Sequence, residues 1–267
     1  MKKLTALLLI MCLCLSLCAC GGGSSYGVKV VQTLVEQEYS LAFRNGDNTY
    51  TYVSAALETM AADGTIDSLT AKWFGERIVT FKKDPEALTR VGMPEPRVLI
   101  IGVDINSFPM AYVANGNYWG YDVEVAMALC ERLGWTLQIQ QIEKENVYIE
   151  LSSGNIDCAW GGIALNPEEL AAEKYTQYGP YVENDIVIAS REGSSVWNSL
   201  KLSGRNMAMC STVEAMEALQ TAEKLAKRLG QITRLAGGTT ECFEYLYSGK
   251  CDAVLTDSTA LYYYNCH

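Results

Sequence analysis

Few side chains in this sequence have the type and spacing needed for covalent or metal chemistry. The only histidine is the last residue, His267, so neither a nucleophile–base pair nor a histidine-containing zinc set is apparent. Ten cysteines are present, but after Cys20 no two have the CxxC spacing typical of zinc or redox sites. The sequence therefore favours a binding protein over an enzyme, and we expect no cofactor and no metal.

The cysteines beyond Cys20 have two possible roles. An exported protein with six cysteines could form disulfides. However, Cys158 and Cys251 lie within apolar strand patterns and Cys130 lies on the apolar face of a helix pattern. We therefore interpret most of the six as small buried hydrophobic residues. The six are Cys130, Cys158, Cys210, Cys242, Cys251 and Cys266.

The first 25 residues have the features of a bacterial export signal. Two lysines precede an apolar run over residues 4–17, which is shorter than the roughly 20 residues that span a bilayer. The run ends in Leu17-Cys18-Ala19-Cys20 and a Gly/Ser stretch, which resembles a lipoprotein processing site. We expect a signal peptide over residues 1–19, lipidation of Cys20 and a tether over residues 20–25. The alternative is ordinary cleavage nearby, with Cys20 incidental.

The composition indicates a folded, acidic protein. Apolar residues make up 49% of the 267 residues, enough for a substantial core, and the formal net charge is −10. An acidic surface argues against nucleic acid or anionic lipid as a partner. The length is sufficient for one or two compact domains.

Two stretches of the chain repeat each other. Residues 151–159 and 246–253 share the pattern Leu-x-Ser-Gly-x-x-Asp. The glycines of the two copies, Gly154 and Gly249, are separated by 95 positions. A second pair of matching segments, 131–134 and 227–230, is 96 positions apart. Two matches at nearly one offset predict two similar α/β lobes. Proteins with two such lobes usually bind ligands in the cleft between them.

Strand and helix patterns alternate after residue 97. An apolar strand is predicted over residues 98–103, and a helix capped by Asp122 is predicted to run to Leu133. Helix-start signals occur at 166–169 and 211–214. The alternation predicts parallel βαβ units. The other predicted elements are strands at 28–34, 39–43, 135–141, 156–160, 185–190, 206–209, 232–235 and 253–256, helices at 49–62, 145–151 and 241–247, and a linker at 79–96.

From residue 97 onward the chain resembles the family 3 solute-binding proteins of polar amino-acid ABC transporters. The matching stretches are residues 98–104, 120–124, 153–157, 178–181 and 248–254. The family's final strands and its Lys-Trp-Phe-like tail are instead similar to residues 28–31, 39–47 and 61–75 at the front of this chain. The alternative is a truncated protein with an unrelated front segment, which we reject because the front segment supplies the elements that the back lacks.

The resemblance implies an α/β fold of two Rossmann-like lobes with a hinge, the periplasmic-binding-protein type II fold, circularly permuted. Lobe 1 is then residues 38–185, with the linker 79–96, and lobe 2 is residues 26–37 plus 186–267. Permutation of this kind is tolerated where chain ends are close and the new break lies in an exposed loop.

The resemblance also implies a set of ligand contacts. Asp257 matches an acid that holds the ligand's amino group, and Ser211 and Thr212 match a loop that meets its carboxylate at a helix N-terminus. The family's carboxylate-binding arginine is replaced by Glu169. Either another group binds the carboxylate or the ligand is not a standard α-amino acid. Helix capping is the alternative role for each of these residues.

Aromatic residues complete the implied site. Trp160 matches a pocket position and could stack on a ligand or cation, while Phe108 and Tyr112 are further candidates and Asp104 is expected to face the cleft. Core packing is the alternative for the three aromatic residues.

The resulting prediction is a monomeric, lipid-anchored receptor on the extracytoplasmic face of the cell membrane. It would deliver a small polar ligand, an amino acid or amine, to an ABC permease. The alternatives are a ligand-sensing module that signals to a partner and a dehydratase-like enzyme on the same fold.

Overall fold

The computed structural model describes residues 27–267 and contains twelve strands and ten α-helices in that range. The predicted signal peptide, Cys20 and tether lie outside the described residues. Within the described range, no helix has both the length and the apolar character needed to cross a membrane.

The strands are β1 (Val28–Val35), β2 (Glu38–Phe43), β3 (Val98–Val103), β4 (Tyr112–Ala114), β5 (Asn117–Trp119), β6 (Thr136–Gln141), β7 (Cys158–Ala159), β8 (Thr176–Glu183), β9 (Ile186–Arg191), β10 (Met207–Cys210), β11 (Ile232–Leu235) and β12 (Ala253–Asp257).

The helices cover the faces of the sheets, and two short 3-10 helices, Lys144–Asn146 and Ser199–Leu202, lie in connections. The α-helices are α1 (Thr49–Ala62), α2 (Thr65–Phe74), α3 (Ala87–Val91), α4 (Tyr121–Leu133), α5 (Val147–Ser153), α6 (Pro167–Ala171), α7 (Val213–Thr221), α8 (Glu223–Ala226), α9 (Gly238–Tyr247) and α10 (Ser258–Cys266).

Two five-stranded sheets form the two lobes, as the sequence repeat predicts. The sheet of lobe 1 has the order β6-β3-β7-β2-β8, and that of lobe 2 has the order β1-β9-β12-β10-β11. The apolar strand β3 lies between β6 and β7 and pairs with both in parallel. A buried parallel strand of this kind is apolar on both faces.

The predicted parallel pairs are present in both lobes, but both sheets also contain antiparallel strands. Strand β2 runs antiparallel to β7 and β8, and β9 runs antiparallel to β1 and β12. The reason is the path between lobes: β1 leads into β2 and β8 leads into β9. A strand that enters a sheet directly from the other lobe starts at the edge where the βαβ strands end, and it therefore runs the opposite way.

The repeated motif has the same structural role in both lobes. Gly154 follows α5 with φ of 78°, and Gly249 follows α9 with φ of 75°, a backbone region open mainly to glycine. The Asp157 carboxylate then accepts a hydrogen bond from the Ile100 amide at 2.9 Å, and the Asp252 carboxylate accepts one from the Asn206 amide at 3.0 Å. In each lobe the motif ends a helix and ties the next strand to its neighbour.

The front segment is part of both lobes. Strand β1 pairs with β9 at the edge of lobe 2, and β2 lies inside the sheet of lobe 1. The Val28 amide donates to Asn265 Oδ1 at 2.8 Å, and Asn265 Nδ2 donates to the Val28 carbonyl at 3.0 Å. The start of β1 is therefore held against the end of α10, which is the proximity that a circular permutation requires.

The segment 79–96 is less linker-like than its composition predicts. It contains helix α3, and its Thr80 amide donates to the Tyr181 carbonyl at 2.7 Å. The Phe81 ring is buried and stacks on the Tyr181 ring with centroids 5.1 Å apart. Aromatic burial thus fixes the first half of the segment to lobe 1, and Met93 beyond α3 is exposed.

Several local predictions need correction. Asp122 is not the cap of α4, which begins after Gly120; its carboxylate is buried and serves other partners. The strand predicted over 156–160 is only β7, because the chain turns at Gly161 with φ of 145°. Strand β8 was not predicted, since Gly179-Pro180 within it normally argues against a strand. The hairpin β4–β5 and helix α10 were also not predicted.

Candidate functional site

A cleft lies between the lobes at the carboxyl ends of the parallel strands. Asp104 directly follows β3 in lobe 1, and Asp257 ends β12 in lobe 2; both line the cleft. The cavity between the lobes has a volume of about 50 Å³ and is open to solvent on one side. Ligand sites in open α/β sheets form at this edge because a crevice opens there, outside the carboxyl ends of the strands.

Asp257 is held in place at the crossing between the lobes. Asn184, between β8 and β9, donates through Nδ2 to Asp257 Oδ1 at 2.8 Å and to the Tyr39 hydroxyl at 2.6 Å. The Thr259 hydroxyl donates to Asn184 Oδ1 at 2.7 Å, which fixes the orientation of the amide. The carboxylate therefore has a defined position before any ligand arrives.

Burial and neighbouring acids disfavour the ionised form of Asp257. Burial raises the pKa of Asp257 to about 6, Glu214 and Asp104 add to the rise, and the bond from Asn184 opposes it. Burial also raises the pKa of Asp104, although the Asn106 amide donates to it at 2.9 Å. A cation placed between these carboxylates would favour their ionised forms.

One ion pair crosses the cleft. Lys144, in the 3-10 helix of lobe 1, lies with its Nζ 2.6 Å from Glu214 Oε1 in α7 of lobe 2. Burial raises the pKa of Glu214, but the hydrogen bond and charge of Lys144, together with hydrogen bonds from the Glu214 amide and from Thr212, leave that pKa below its usual value. Among the described residues that line the cleft, three are carboxylates, one is a lysine and none is an arginine.

A second buried carboxyl group lies beneath the cleft wall. Asp122 accepts from the Tyr181 hydroxyl at 2.6 Å and from the Gly162 amide at 2.8 Å. Burial raises the pKa of Asp122 to about 7, while the hydrogen bonds from Tyr181 and Gly162 lower it. Because Gly162 lines the cleft, this group fixes the shape of the wall.

The sequence profile of the bacterial extracellular solute-binding proteins, family 3, matches residues 99–236. The chain belongs to this family. Family 3 membership and the two-lobed α/β fold confirm the expectation from the sequence motifs.

Curated relatives within the family are distant in sequence. The probable amino-acid-binding protein YxeM of Bacillus subtilis is 24% identical over 167 residues, 62% of each chain. A probable amino-acid ABC transporter-binding protein of Haemophilus influenzae is 24% identical over 184 residues, 68% of this chain and 67% of that protein. The chain thus spans about 62% of the length of the first of these relatives.

Solved structures of similar proteins include two from streptococci. A polar amino acid ABC uptake transporter substrate-binding protein of Streptococcus thermophilus is 24% identical, with 60% of this chain and 61% of that chain covered and a TM-score of 0.46. An ABC uptake transporter substrate-binding protein of Streptococcus pneumoniae with bound histidine is 23% identical, with 62% and 68% covered and a TM-score of 0.47.

Three of the candidate residues predicted for this family 3 protein come together at the cleft. Asp257, Asp104 and Thr212 all line it. Thr212 is the N-cap of α7, and its hydroxyl accepts from the Ala215 amide at 3.3 Å. Its neighbour Ser211 is exposed outside the cleft lining, and the Ser211 amide donates to the Leu235 carbonyl at 3.2 Å. That amide is therefore already used within the sheet edge.

The other candidates lie elsewhere. Glu169 is outside the cleft lining and pairs with Lys174, with Oε1 and Nζ 3.2 Å apart. Trp160 is fully buried in the core of lobe 1, which matches the core-packing alternative. Phe108 and Tyr112 line a neighbouring recess, where their ring centroids are 5.0 Å apart.

Sequence reasoning missed Lys144, Tyr39 and Asn184. Lys144 stands between two glutamates with no motif around it, and its importance arises only from the opposite lobe. Glu214 belongs to the helix-start signal predicted at 211–214, but its side chain pairs with Lys144 across the cleft. No local pattern reveals a contact between residues 70 positions apart.

Proposed function

We propose that this protein is an extracytoplasmic receptor that captures a small ligand through the ligand's amino group and delivers it to an ABC permease. The ligand is an amine or an amino acid with a cationic group. The ligand is held between Asp257 and Asp104, with Glu214 nearby. Lipidation of Cys20 keeps the monomeric receptor at the outer face of the membrane.

The charge of the cleft lining is the observation that carries this proposal. Three carboxylates, Asp104, Glu214 and Asp257, face one ammonium, that of Lys144. With Glu214 paired to Lys144, the two aspartates are left to be compensated by a ligand cation. Charge-assisted bonds from an ammonium to carboxylates in a desolvated site are strong.

The names of relatives are consistent with such a ligand. An arginine-binding extracellular protein, ArtP of Bacillus subtilis, is 25% identical over 109 residues, 41% of this chain and 42% of that protein. The absence of arginine from the described cleft lining favours ligands without a carboxylate, or a carboxylate bound by Lys144 and the start of α7.

Thermal-shift and calorimetric titrations with four ligand classes test the proposal. We expect diamines or cationic amino acids to raise the melting temperature, with neutral and acidic amino acids weaker or silent, because a ligand that binds only the folded state stabilises it by mass action.

The Asp257→Asn variant should lose at least tenfold in affinity, about 1.4 kcal/mol or more, because it removes the charge but keeps the shape. Glu169→Gln is the matched control and should bind as the unmodified protein does, since Glu169 lies outside the cleft lining. An equal loss of affinity in both variants would contradict the assignment, and so would saturable binding of acidic amino acids only.

A further inference from the structure

Two thiols meet beneath the cleft in lobe 2. Cys210 ends β10 and Cys242 lies in α9, and their sulfur atoms are 3.6 Å apart. Cys242 is fully buried, whereas Cys210 reaches both the cleft and the adjacent recess. The two residues are 32 positions apart, so a bond between them would cross-link two different elements of the lobe.

We propose that Cys210 and Cys242 form a disulfide bond in the extracytoplasmic environment. The family is extracellular, and disulfides form and persist in such compartments. Sulfur atoms in van der Waals contact need only a small adjustment of the side chains to bond. The proposed ligand contacts do not include these two cysteines. A bond between them would form whatever the ligand is.

The two thiols differ in a way that suits this reaction. Hydrogen bonds from the Cys242 thiol and then from the Thr239 hydroxyl lower the pKa of Cys210, although burial opposes them. The same contact with Cys210, together with burial, raises the pKa of Cys242. Cys210 is therefore the thiolate that attacks, and it is also the more accessible of the two.

The oxidation is a thiol–disulfide exchange with an external disulfide, either a small molecule or a protein. The Cys210 thiolate attacks one sulfur of the donor and forms a mixed disulfide, and the other donor sulfur leaves as a thiolate. Cys242 then loses its proton to that thiolate or to water and attacks the Cys210 sulfur, releasing the second donor sulfur. Two electrons and two protons pass in total from the cysteine pair to the donor.

The bond would fix one wall of the cleft. Thr212 follows Cys210 by two residues, and Thr239 precedes Cys242 by three; both threonines line the cleft. The cross-link closes a loop that includes α7, α8 and β11. Closing a loop of this size restricts the unfolded chain, so the oxidised protein should be the more stable form.

Peptide mass mapping under non-reducing conditions tests the proposal on the intact protein. After incubation with oxidised glutathione and alkylation of free thiols, we expect one linked pair of peptides, containing Cys210 and Cys242 and lighter by two hydrogen atoms. The oxidised protein should melt roughly 5–10 °C above the reduced protein.

The variants Cys210→Ser and Cys242→Ser should each abolish the linked peptide and the response of the melting temperature to reductant. Cys158→Ser, in lobe 1, is the control and should keep both. Full alkylation of Cys210 and Cys242 after oxidation would overturn the proposal, and so would a Cys242–Cys251 linkage.

Discussion

Asp257 and Asp122 are carboxyl groups that the fold keeps in unfavourable surroundings. Their pKa values, about 6 and about 7, are raised chiefly by burial. Both groups are also hydrogen-bonded, Asp257 by Asn184 and Asp122 by Tyr181 and Gly162. In the proposed function, a cationic ligand bound at Asp257 would offset the free energy lost by burying its carboxylate. At Asp122 the carboxyl group instead holds the cleft wall in place.

The raised pKa values predict that the ligand-free protein loses stability as pH rises from about 4 to about 7. Each group binds a proton more tightly in the folded than in the unfolded chain, whose carboxyl pKa is about 3.8. The stabilising contribution is therefore fully present below that value and is lost as pH passes the folded-state pKa.

The contribution of Asp257 to this pH dependence can be isolated by mutation. Asp257 borders solvent in the cleft, so we expect Asp257→Asn to raise the free energy of unfolding at pH 7.5 by about 1–2 kcal/mol, less than its full pKa shift would give. Denaturant titrations from pH 4.5 to 8 measure this effect. The plot of unfolding free energy against pH should be flatter for this variant between pH 4.5 and about 6, while the plot for Glu169→Gln should run parallel to that of the unmodified protein. A parallel plot for Asp257→Asn would refute the assignment.

The 3-10 helix Lys144–Asn146 and helix α7 face each other across the cleft, one from each lobe. Their contact is the ion pair between Lys144 and Glu214, whose side chains are each about one quarter exposed. An ion pair of this exposure contributes little to stability. Its consequence for binding is larger, because it places the one lysine of the described cleft lining next to the acidic groups that a ligand would contact.

Replacing Lys144 by methionine separates two ligand classes. An amine without a carboxylate should bind about tenfold more tightly, about 1.4 kcal/mol, because a competing cation is gone. An amino acid whose carboxylate contacts Lys144 should instead bind more weakly. Isothermal titration of both ligand types measures the difference.

Lys174→Met is the matched control for that experiment, since Lys174 pairs with Glu169 outside the cleft lining. It should change neither affinity. If Lys144→Met also changed neither, the ammonium of Lys144 would have no part in recognition.

We propose that the order of the elements along the chain is a circular permutation of the family 3 order. The front segment supplies β1 to lobe 2 and β2 to lobe 1, so the fold includes it as an integral part. The two hydrogen bonds between Val28 and Asn265 hold together the places where the unpermuted chain would be continuous. Met93 is exposed in the joining segment, where the unpermuted chain would have its ends.

Restoring the proposed original order should therefore preserve the fold. A variant that joins His267 to Gly27 through a short flexible linker, and begins at Met93 after a break behind Gly92, should keep its circular dichroism spectrum and melt within about 5 °C of the present order. A matched variant with the break in the middle of α1, at Ala56, should fail to fold because that residue is buried. Loss of cooperative melting in the Met93 variant would contradict the permutation.

Features that depend on neighbouring residues could be predicted from the sequence. Helix α1 and the strands β3 and β11 have the predicted bounds, because apolar periodicity and glycine stops act within a few residues. The Asn166 side chain caps α6 as predicted, accepting from the Glu168 and Glu169 amides. Strand β8 was missed because its pairing with β2 overrides the local preferences of Gly179 and Pro180.

The sequence alone established two similar α/β lobes and an acid at the end of β12, since a duplicated motif repeats the same local turn and strand wherever it occurs. Only the tertiary structure decided which side chains share the cleft. It buried Trp160 in the core, paired Glu169 with Lys174 and brought Lys144 to Glu214. The direction of a side chain at the end of an element depends on what packs against it, and here those partners come from distant parts of the chain or from the other lobe.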